Sequence, residues 1–304
     1  MKILVTGSSG TIGTRLCEKL LEAGFNVTGA DWEPNKWNKN IQAITTQIDL
    51  RDAHKLEAES WKLKADLIVH LAANARVYEL VEDPTRARDN IITTFNLLEF
   101  ARKNHIKKFI FASSRETYGN TPKEKLKEND ANFQACESPY TASKIAGEAM
   151  VEAYKRCYAM DTIVFRFSNV YGMYDDSVRV VPLFFHQARM GEPLTVFGKE
   201  KCLDFTYIDD TVDAILLAIK QFDHAKNDTY NIATGTGTTL SHLALRIKEL
   251  TESSSQIRTG KVRTGEIVKF VADISKAKEK LDYQPKVSFE EGIKKTVEWY
   301  IKNT

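Results

Sequence analysis

The sequence predicts an α/β fold, a doubly wound parallel sheet followed by a smaller C-terminal lobe. Three observations predict it. Short apolar runs alternate with long amphipathic stretches through the first two-thirds of the 304-residue chain, which is the pattern of βαβ units. The apolar runs are continuous rather than alternating, as expected of strands covered by helices on both faces. A glycine-rich segment, Gly7-Ser8-Ser9-Gly10-Thr11-Ile12-Gly13, follows the first run directly.

Taken in order, the first strand is expected at residues 3–6, where Met1-Lys2-Ile3-Leu4-Val5-Thr6 runs straight into glycine. That run is far too short for a signal peptide or a membrane span. A helix is expected over 11–23, strands at 27–30 and 67–71, a helix over 84–103, and strands at 109–112 and 163–167. Beyond about Asn169 the pattern loosens into a helix at 182–190, then the segment 194–197, a helix near 210–221 and a late helix at 289–302. The expected division is a sheet domain over 1–168, to which later segments return, and a partly interleaved lobe over 169–304.

Bulk composition narrows the function classes. Hydrophobic residues at 42% and charged residues at 28% are ordinary for a globular protein. A formal net charge of +2 gives no electrostatic case for nucleic acid or a membrane surface. Cys17, Cys136, Cys157 and Cys202 show no Cys-x-x-Cys spacing, which suits reduced thiols in a cytoplasm. The six histidines include no His-x-x-x-His pattern, so no metal is expected.

Gly7, Gly10 and Gly13 sit where a strand turns into a helix. A backbone there must turn tightly and let a pyrophosphate rest on the helix N-terminus. Simple turn chemistry is the competing reading. Asp31 shifts the balance, because it ends the second apolar run eighteen positions after Gly13. An acidic side chain at that point accepts hydrogen bonds from adenosine ribose hydroxyls and repels a 2′-phosphate, favouring NAD over NADP. A solvated loop carboxylate remains the alternative for Asp31. The whole forms a Rossmann-type dinucleotide signature.

Downstream stand Ser113-Ser114-Arg115-Glu116-Thr117-Tyr118-Gly119 and then Tyr140 and Lys144. Pro139 suits a first helical turn with Ser138 as its cap. That start places Tyr140 and Lys144 one turn apart on one helix face. With eleven tyrosines in the chain, a Tyr-x-x-x-Lys match arises by chance, and a surface pair is its bland reading.

The ordered set resembles the short-chain dehydrogenase/reductase superfamily, in its extended branch that modifies nucleotide sugars. The resemblance spans essentially the whole chain. It implies Tyr140 as the base, Lys144 as the residue that tunes it and binds the nicotinamide ribose, and Ser114 as the partner of the reacting hydroxyl. Ser113 is the competitor for that last role. A free tyrosine has a pKa near 10, so action at pH 7 needs a depression of roughly 3 units, about 4 kcal/mol. A lysine ammonium and the positive nicotinamide ring together can supply it. The cofactor set implied is Gly7, Gly10, Thr11, Ile12, Gly13, Asp31, Asp49, Leu50, Leu71, Ala72, Ala73 and Asn90, with Tyr140 and Lys144. Close packing is an equal reading for Ala72 and Ala73, and His70 before them reads as a packed strand-end residue.

For the lobe, Arg166-Phe167-Ser168-Asn169-Val170-Tyr171-Gly172 is similar to the epimerase signature whose asparagine meets the substrate diphosphate. The resemblance further implies Val181, Thr195 and Phe197 around the nucleotide base, Arg263 on the diphosphate and Phe270 beside sugar C2, where a core role competes. Glu116 stands where related enzymes carry an acid that acts at C5 or C6, and an auxiliary polar contact or a structural role is equally open. Two departures matter. Dehydratases place an aspartate before that acid, and here it is Arg115; Leu203 replaces the usual phosphate-binding arginine, with Lys201 as a substitute nearby. The implied activity is NAD-dependent epimerisation at C4 of a UDP-hexose of the glucose/galactose type. UDP-glucuronate decarboxylation and 4,6-dehydration are alternatives on the same fold, and a non-catalytic NAD- or sugar-nucleotide-binding protein is a remote one. A homodimer is implied through helices at 84–103 and 139–158, with Ile91, Phe95, Met150 and Tyr154 on the shared face or on the sheet.

Overall fold

The computed structural model describes residues 1–303. Its strands are β1 (Lys2–Thr6), β2 (Asn26–Asp31), β3 (Thr45–Gln47), β4 (Leu67–His70), β5 (Lys108–Ser114), β6 (Asp161–Phe167), β7 (Asn169–Tyr171), β8 (Leu194–Phe197), β9 (Cys202–Tyr207), β10 (Asp228–Ile232), β11 (Gly237–Thr239), β12 (Ile257–Gly260) and β13 (Lys269–Phe270). Seven of them form one parallel sheet in the order β10-β6-β5-β4-β1-β2-β3.

The side-chain period of two explains why these strands read as continuous apolar runs. Ile3 and Val5, Leu67 and Val69, Ile110, and Ile163 and Phe165 enter one core. Their neighbours Leu4, Ile68, Phe109, Phe111 and Val164 enter a second core on the opposite face. Leu16, Cys17 and Leu20 of the Thr11–Glu22 helix cover the first face, with Val212 and Ile215 of the Ile208–Lys220 helix. Leu97, Leu98 and Ala101 of the Thr85–Lys103 helix cover the second, with Val151 and Tyr154 of the Pro139–Tyr158 helix. The sheet is therefore doubly wound, of the Rossmann type.

The five strands expected from sequence are present, and β5 runs two residues further than expected, carrying Ser113 and Ser114 at its end. β3 and β10 lie outside those expectations because Thr45-Thr46-Gln47 and Asp228-Thr229-Tyr230-Asn231-Ile232 are too polar to stand out as strands. Pairing to β2 and β6 holds them instead. β10 returns to the sheet from far beyond residue 168. The remaining strands form smaller sheets. β9 pairs with β11 antiparallel and with β7 and β13 parallel, and β8 pairs with β12.

What positions the site is the place of β1, flanked by β4 on one side and β2 on the other. Successive connections leave β1 in opposite directions, and a crevice opens at the carboxyl ends of β1 and β4.

Candidate active site

Gly7 leaves β1 with φ at 75°, a backbone conformation that side chains with a Cβ rarely adopt. A Cβ there would stand 2.7 Å from the Ala72 nitrogen, just beyond β4. A Cβ on Gly13 would stand 1.9 Å from the Gly7 carbonyl oxygen. Turn, helix and the loop after β4 thus close on one another as only missing side chains permit. Gly10 differs, since a Cβ there would meet only that same oxygen, at 3.4 Å.

The crevice is a cleft of about 230 Å³ whose walls include Gly7, Gly10, Asp31, Asp49, Leu50, Leu71, Ala72, Ala73 and Asn90. Asp31 accepts the backbone N–H groups of Ser9 at 2.9 Å and Glu33 at 3.1 Å. Burial raises its pKa while those bonds oppose the rise, and each oxygen keeps a second acceptor site. Asp49 is gripped by Arg51 at 2.7 Å, which lowers its pKa, and the Arg51 guanidinium also lies 4.8 Å from the Trp32 ring centroid. Asn90 receives the Asn74 N–H at 2.7 Å and donates to Asn74 O and Ser143 Oγ. It staples the loop after β4 to the helix that carries Lys144. The Thr11 hydroxyl donates to Tyr174 O at 3.0 Å and accepts from Arg179 at 3.2 Å, while Ile12 packs on the core. An amide-lined helix start, a ribose-facing type of carboxylate and a narrow floor of small residues fit a dinucleotide.

Ser138 caps the Pro139–Tyr158 helix by accepting the Thr141 N–H at 3.1 Å, with Pro139 in the first turn. That start buries Tyr140, Ser143 and Lys144 on one face. Lys144 Nζ donates to Ala112 O at 2.8 Å and lies 5.8 Å from the Tyr140 ring centroid. Burial pulls its pKa down to about 8, and Glu148 one turn further on opposes the fall. Ser114 Oγ accepts the Glu116 N–H at 3.2 Å, leaving its own O–H for Tyr140, which lies within hydrogen-bonding reach. Ser113 instead donates to Glu148 at 2.5 Å. Of the two serines, Ser114 is the one beside the tyrosine.

Among the protein's own groups, burial pushes Tyr140 up to about 12 rather than down; the Ser114 hydrogen bond and the charges of Arg115 and Arg179 oppose this, and Glu116 adds to it. Any depression has to come from further positive charge at the site. His70 bonds Thr6 and Thr94 through its two ring nitrogens, and burial holds its pKa down at about 3. It is a neutral packed residue.

On the other side of Tyr140, Arg115 and Glu116 form a buried ion pair at 2.8 Å. Burial raises the Glu116 pKa, against the charges of Arg115 and Lys201. Lys201 is no free substitute for the missing arginine, because its ammonium is committed to Glu266 at 2.8 Å, and Leu203 is buried in β9. Arg263 lies between two rings, 4.0 Å from the Phe197 centroid and 4.8 Å from that of Tyr78. Thr195 and Phe197 share one half-buried face of β8, alternating with buried Leu194 and Val196. Asn169 donates to Asp204 O at 3.2 Å. Phe270 is buried against Tyr118 at 5.7 Å and Arg115 at 5.9 Å, so it is at once core and neighbour of the site. Val181, expected at the nucleotide base, is turned into the apolar core and is 3% exposed, because the amphipathic Val180–Met190 helix buries that face.

Sequence reasoning missed Trp32, Arg51 and Arg179. Trp32 directly follows Asp31, and an aromatic residue there was the available signal. Nothing in the surrounding sequence marks Arg179, which reaches Thr11 across 168 positions.

Fold and site define an enzyme built around a bound dinucleotide, with a buried Ser–Tyr–Lys set at the substrate end. Residues 3–233 match the NAD dependent epimerase/dehydratase family, and the chain belongs to that family. It is 34% identical over 309 residues to a putative UDP-glucose 4-epimerase of Methanocaldococcus jannaschii, covering 99% of each chain. It is 28% identical to a dTDP-glucose 4,6-dehydratase of Haemophilus influenzae, over 100% of this chain and 99% of the relative. The crystal structure of UDP-glucose 4-epimerase with UDP-glucose from Thermotoga maritima matches at a TM-score of 0.91 with 35% identity, covering 99% of each chain. The cofactor is NAD, and the protein is a nucleotide-sugar epimerase or a related enzyme of the family.

Proposed function

We propose that this enzyme epimerises a UDP-hexose of the glucose/galactose type at C4. The observation that carries the reading is a buried Ser114–Tyr140–Lys144 set whose acidic neighbour, Glu116, is held by Arg115 at 2.8 Å. Tyr140 takes the O4 proton and later returns it, and Ser114 donates to the oxygen that bears charge in between. Lys144, anchored on Ala112 O, supplies the positive charge one helical turn away. Bound NAD supplies a hydride acceptor and donor at C4, so that the sugar passes through a 4-keto form and the cofactor ends oxidised. Asp31 binds the adenosine ribose, Arg263 and Asn169 the diphosphate, and Thr195 and Phe197 the base.

Dehydration and decarboxylation begin with the same oxidation but need a further free acid or base beyond C4. Arg115 engages the residue best placed to be one. The test is a panel of UDP- and dTDP-hexoses and UDP-glucuronate, with products identified by NMR. The expected product is the C4 epimer of a UDP-hexose; a 4-keto-6-deoxy sugar or released CO2 overturns the reading. We also propose a homodimer through the paired Thr85–Lys103 and Pro139–Tyr158 helices, where Ile91, Phe95 and Tyr158 are exposed. Met150 is half-buried against the sheet's second core and Tyr154 is buried with its hydroxyl on Glu99, so the sheet takes at least part of both. Sedimentation showing a concentration-independent monomer defeats the dimer.

A further inference from the structure

Beside Tyr140 two buried polar atoms have no partner among the described residues, Arg115 Nη1 and Glu116 Oε2. The residues that carry them are 9% and 2% exposed. They are the unpartnered halves of one ion pair, whose other halves, Arg115 Nη2 and Glu116 Oε1, lie 2.8 Å apart. A buried donor or acceptor left unsatisfied is costly, and more so when charged. Native proteins keep such groups where something else completes them. The adjacent Lys201 and Glu266 bond each other and neither bonds these two atoms. Both orphaned groups follow directly on Ser114, and both charges act on Tyr140. They therefore stand next to the reacting residues.

We infer that Arg115 and Glu116 jointly read one hydroxyl of the hexose. A hydroxyl is the group that accepts from Nη1 and donates to Oε2 at the same time. A carboxylate has no proton for Glu116, and it would also meet the negative charges of Glu266 and Glu137, which already act on Glu116. A deoxy position leaves both atoms orphaned. The pair thus selects neutral, fully hydroxylated hexoses against deoxy sugars and uronates. The inference rests on the epimerase reading only for its substrate class.

The experiment uses the holoenzyme with UDP-glucose, its 2-, 3- and 6-deoxy analogues and UDP-glucuronate, measuring kcat/KM and, calorimetrically, Kd. Wild type, Arg115→Met and Glu116→Gln are compared, with bound NAD confirming that each is folded. In the wild type one deoxy analogue is expected to fall roughly 100-fold below the parent, since it leaves the buried polar atoms unpaired. In both variants that penalty shrinks to a few-fold, and Glu116→Gln narrows the gap between UDP-glucuronate and UDP-glucose. Equal deoxy penalties in wild type and variants overturn the inference, as would be found if an ordered water satisfies the pair. A wild type that epimerises none of these sugars defeats the epimerase reading alone, because the Kd comparison still decides the role of the pair.

Discussion

The two ends of the crevice are built from different materials. The cofactor end is built largely on backbone and small side chains, and its polar side chains already have partners within the protein. Asp31 accepts two backbone N–H groups, Asn90 bonds Asn74 and Ser143, and Asp49 is held by Arg51. The end proposed for the sugar carries long charged side chains, Arg115, Glu116, Lys201, Arg263 and Glu266, drawn from segments far apart in the chain, and leaves Arg115 Nη1 and Glu116 Oε2 buried without a partner. One end is complete before its ligand arrives; the other is completed by it. Cofactor binding should therefore depend on steric fit, and sugar selection on individual atoms.

The largest expected effect lies where the ends meet. Tyr140→Phe removes only the ionisable oxygen and keeps the ring, so bound NAD should survive while turnover falls at least roughly 10²–10⁴-fold. Near-normal turnover in this variant breaks the assignment of the base. Lys144→Met is expected to follow, with a distinct pH signature. Burial pushes Tyr140 up to about 12 with Lys144 in place, and the variant also loses that ammonium, so its reactive phenolate is a small fraction at neutral pH. Raising the pH toward that value enlarges the fraction, and the variant's kcat should climb about tenfold per unit between roughly pH 7 and 9. A flat profile there contradicts the role given to Lys144.

The same contrast decides what was legible in the sequence. Gly7, Gly10, Gly13 and Asp31 act through local backbone and through a fixed spacing, so residue order alone exposed them. Tyr140 and Lys144 were legible because one helical turn places them together. At the sugar end the partners are set by packing. Nothing in the order of residues pairs Lys201 with Glu266, or threads Arg263 between Phe197 and Tyr78. Val181 was misplaced for the same reason, since a motif position does not say which face of its helix turns inward. β3 and β10 escaped notice because their pairing, not their composition, makes them strands.

A pair of glycine substitutions sharpens the claim that the cofactor end works by steric fit. A Cβ at Gly13 has backbone oxygen at 1.9 Å, which cannot give way as a flexible side chain would. Gly13→Ala is expected to destabilise the fold by about 1–3 kcal/mol, the usual scale of overpacking, and to lower the NAD content. Gly10→Ala meets its nearest atom at 3.4 Å, so the melting temperature should hold when both variants are compared free of NAD. Equal melting temperatures for both variants break the steric account.

The smallest expected effect tests whether the sugar end depends on single contacts. Tyr78 comes from the Val77–Glu82 helix, on the cofactor side of the chain, yet its ring lies 4.8 Å from the Arg263 guanidinium. Phe197 holds the opposite side at 4.0 Å. A cation–π contact with a ring as exposed as Tyr78 is worth about 0.5–1 kcal/mol. If Arg263 binds the diphosphate, that contact orients it equally in the ground and transition states. Tyr78→Leu should then raise KM about 2- to 5-fold with kcat unchanged, the mark of lost uniform binding. In an Arg263→Ala background the same substitution should change nothing further, because its effect runs through the guanidinium. Additive losses in that double variant would show instead that Tyr78 meets the nucleotide directly, and the two ends of the crevice would then share a contact that the present division denies.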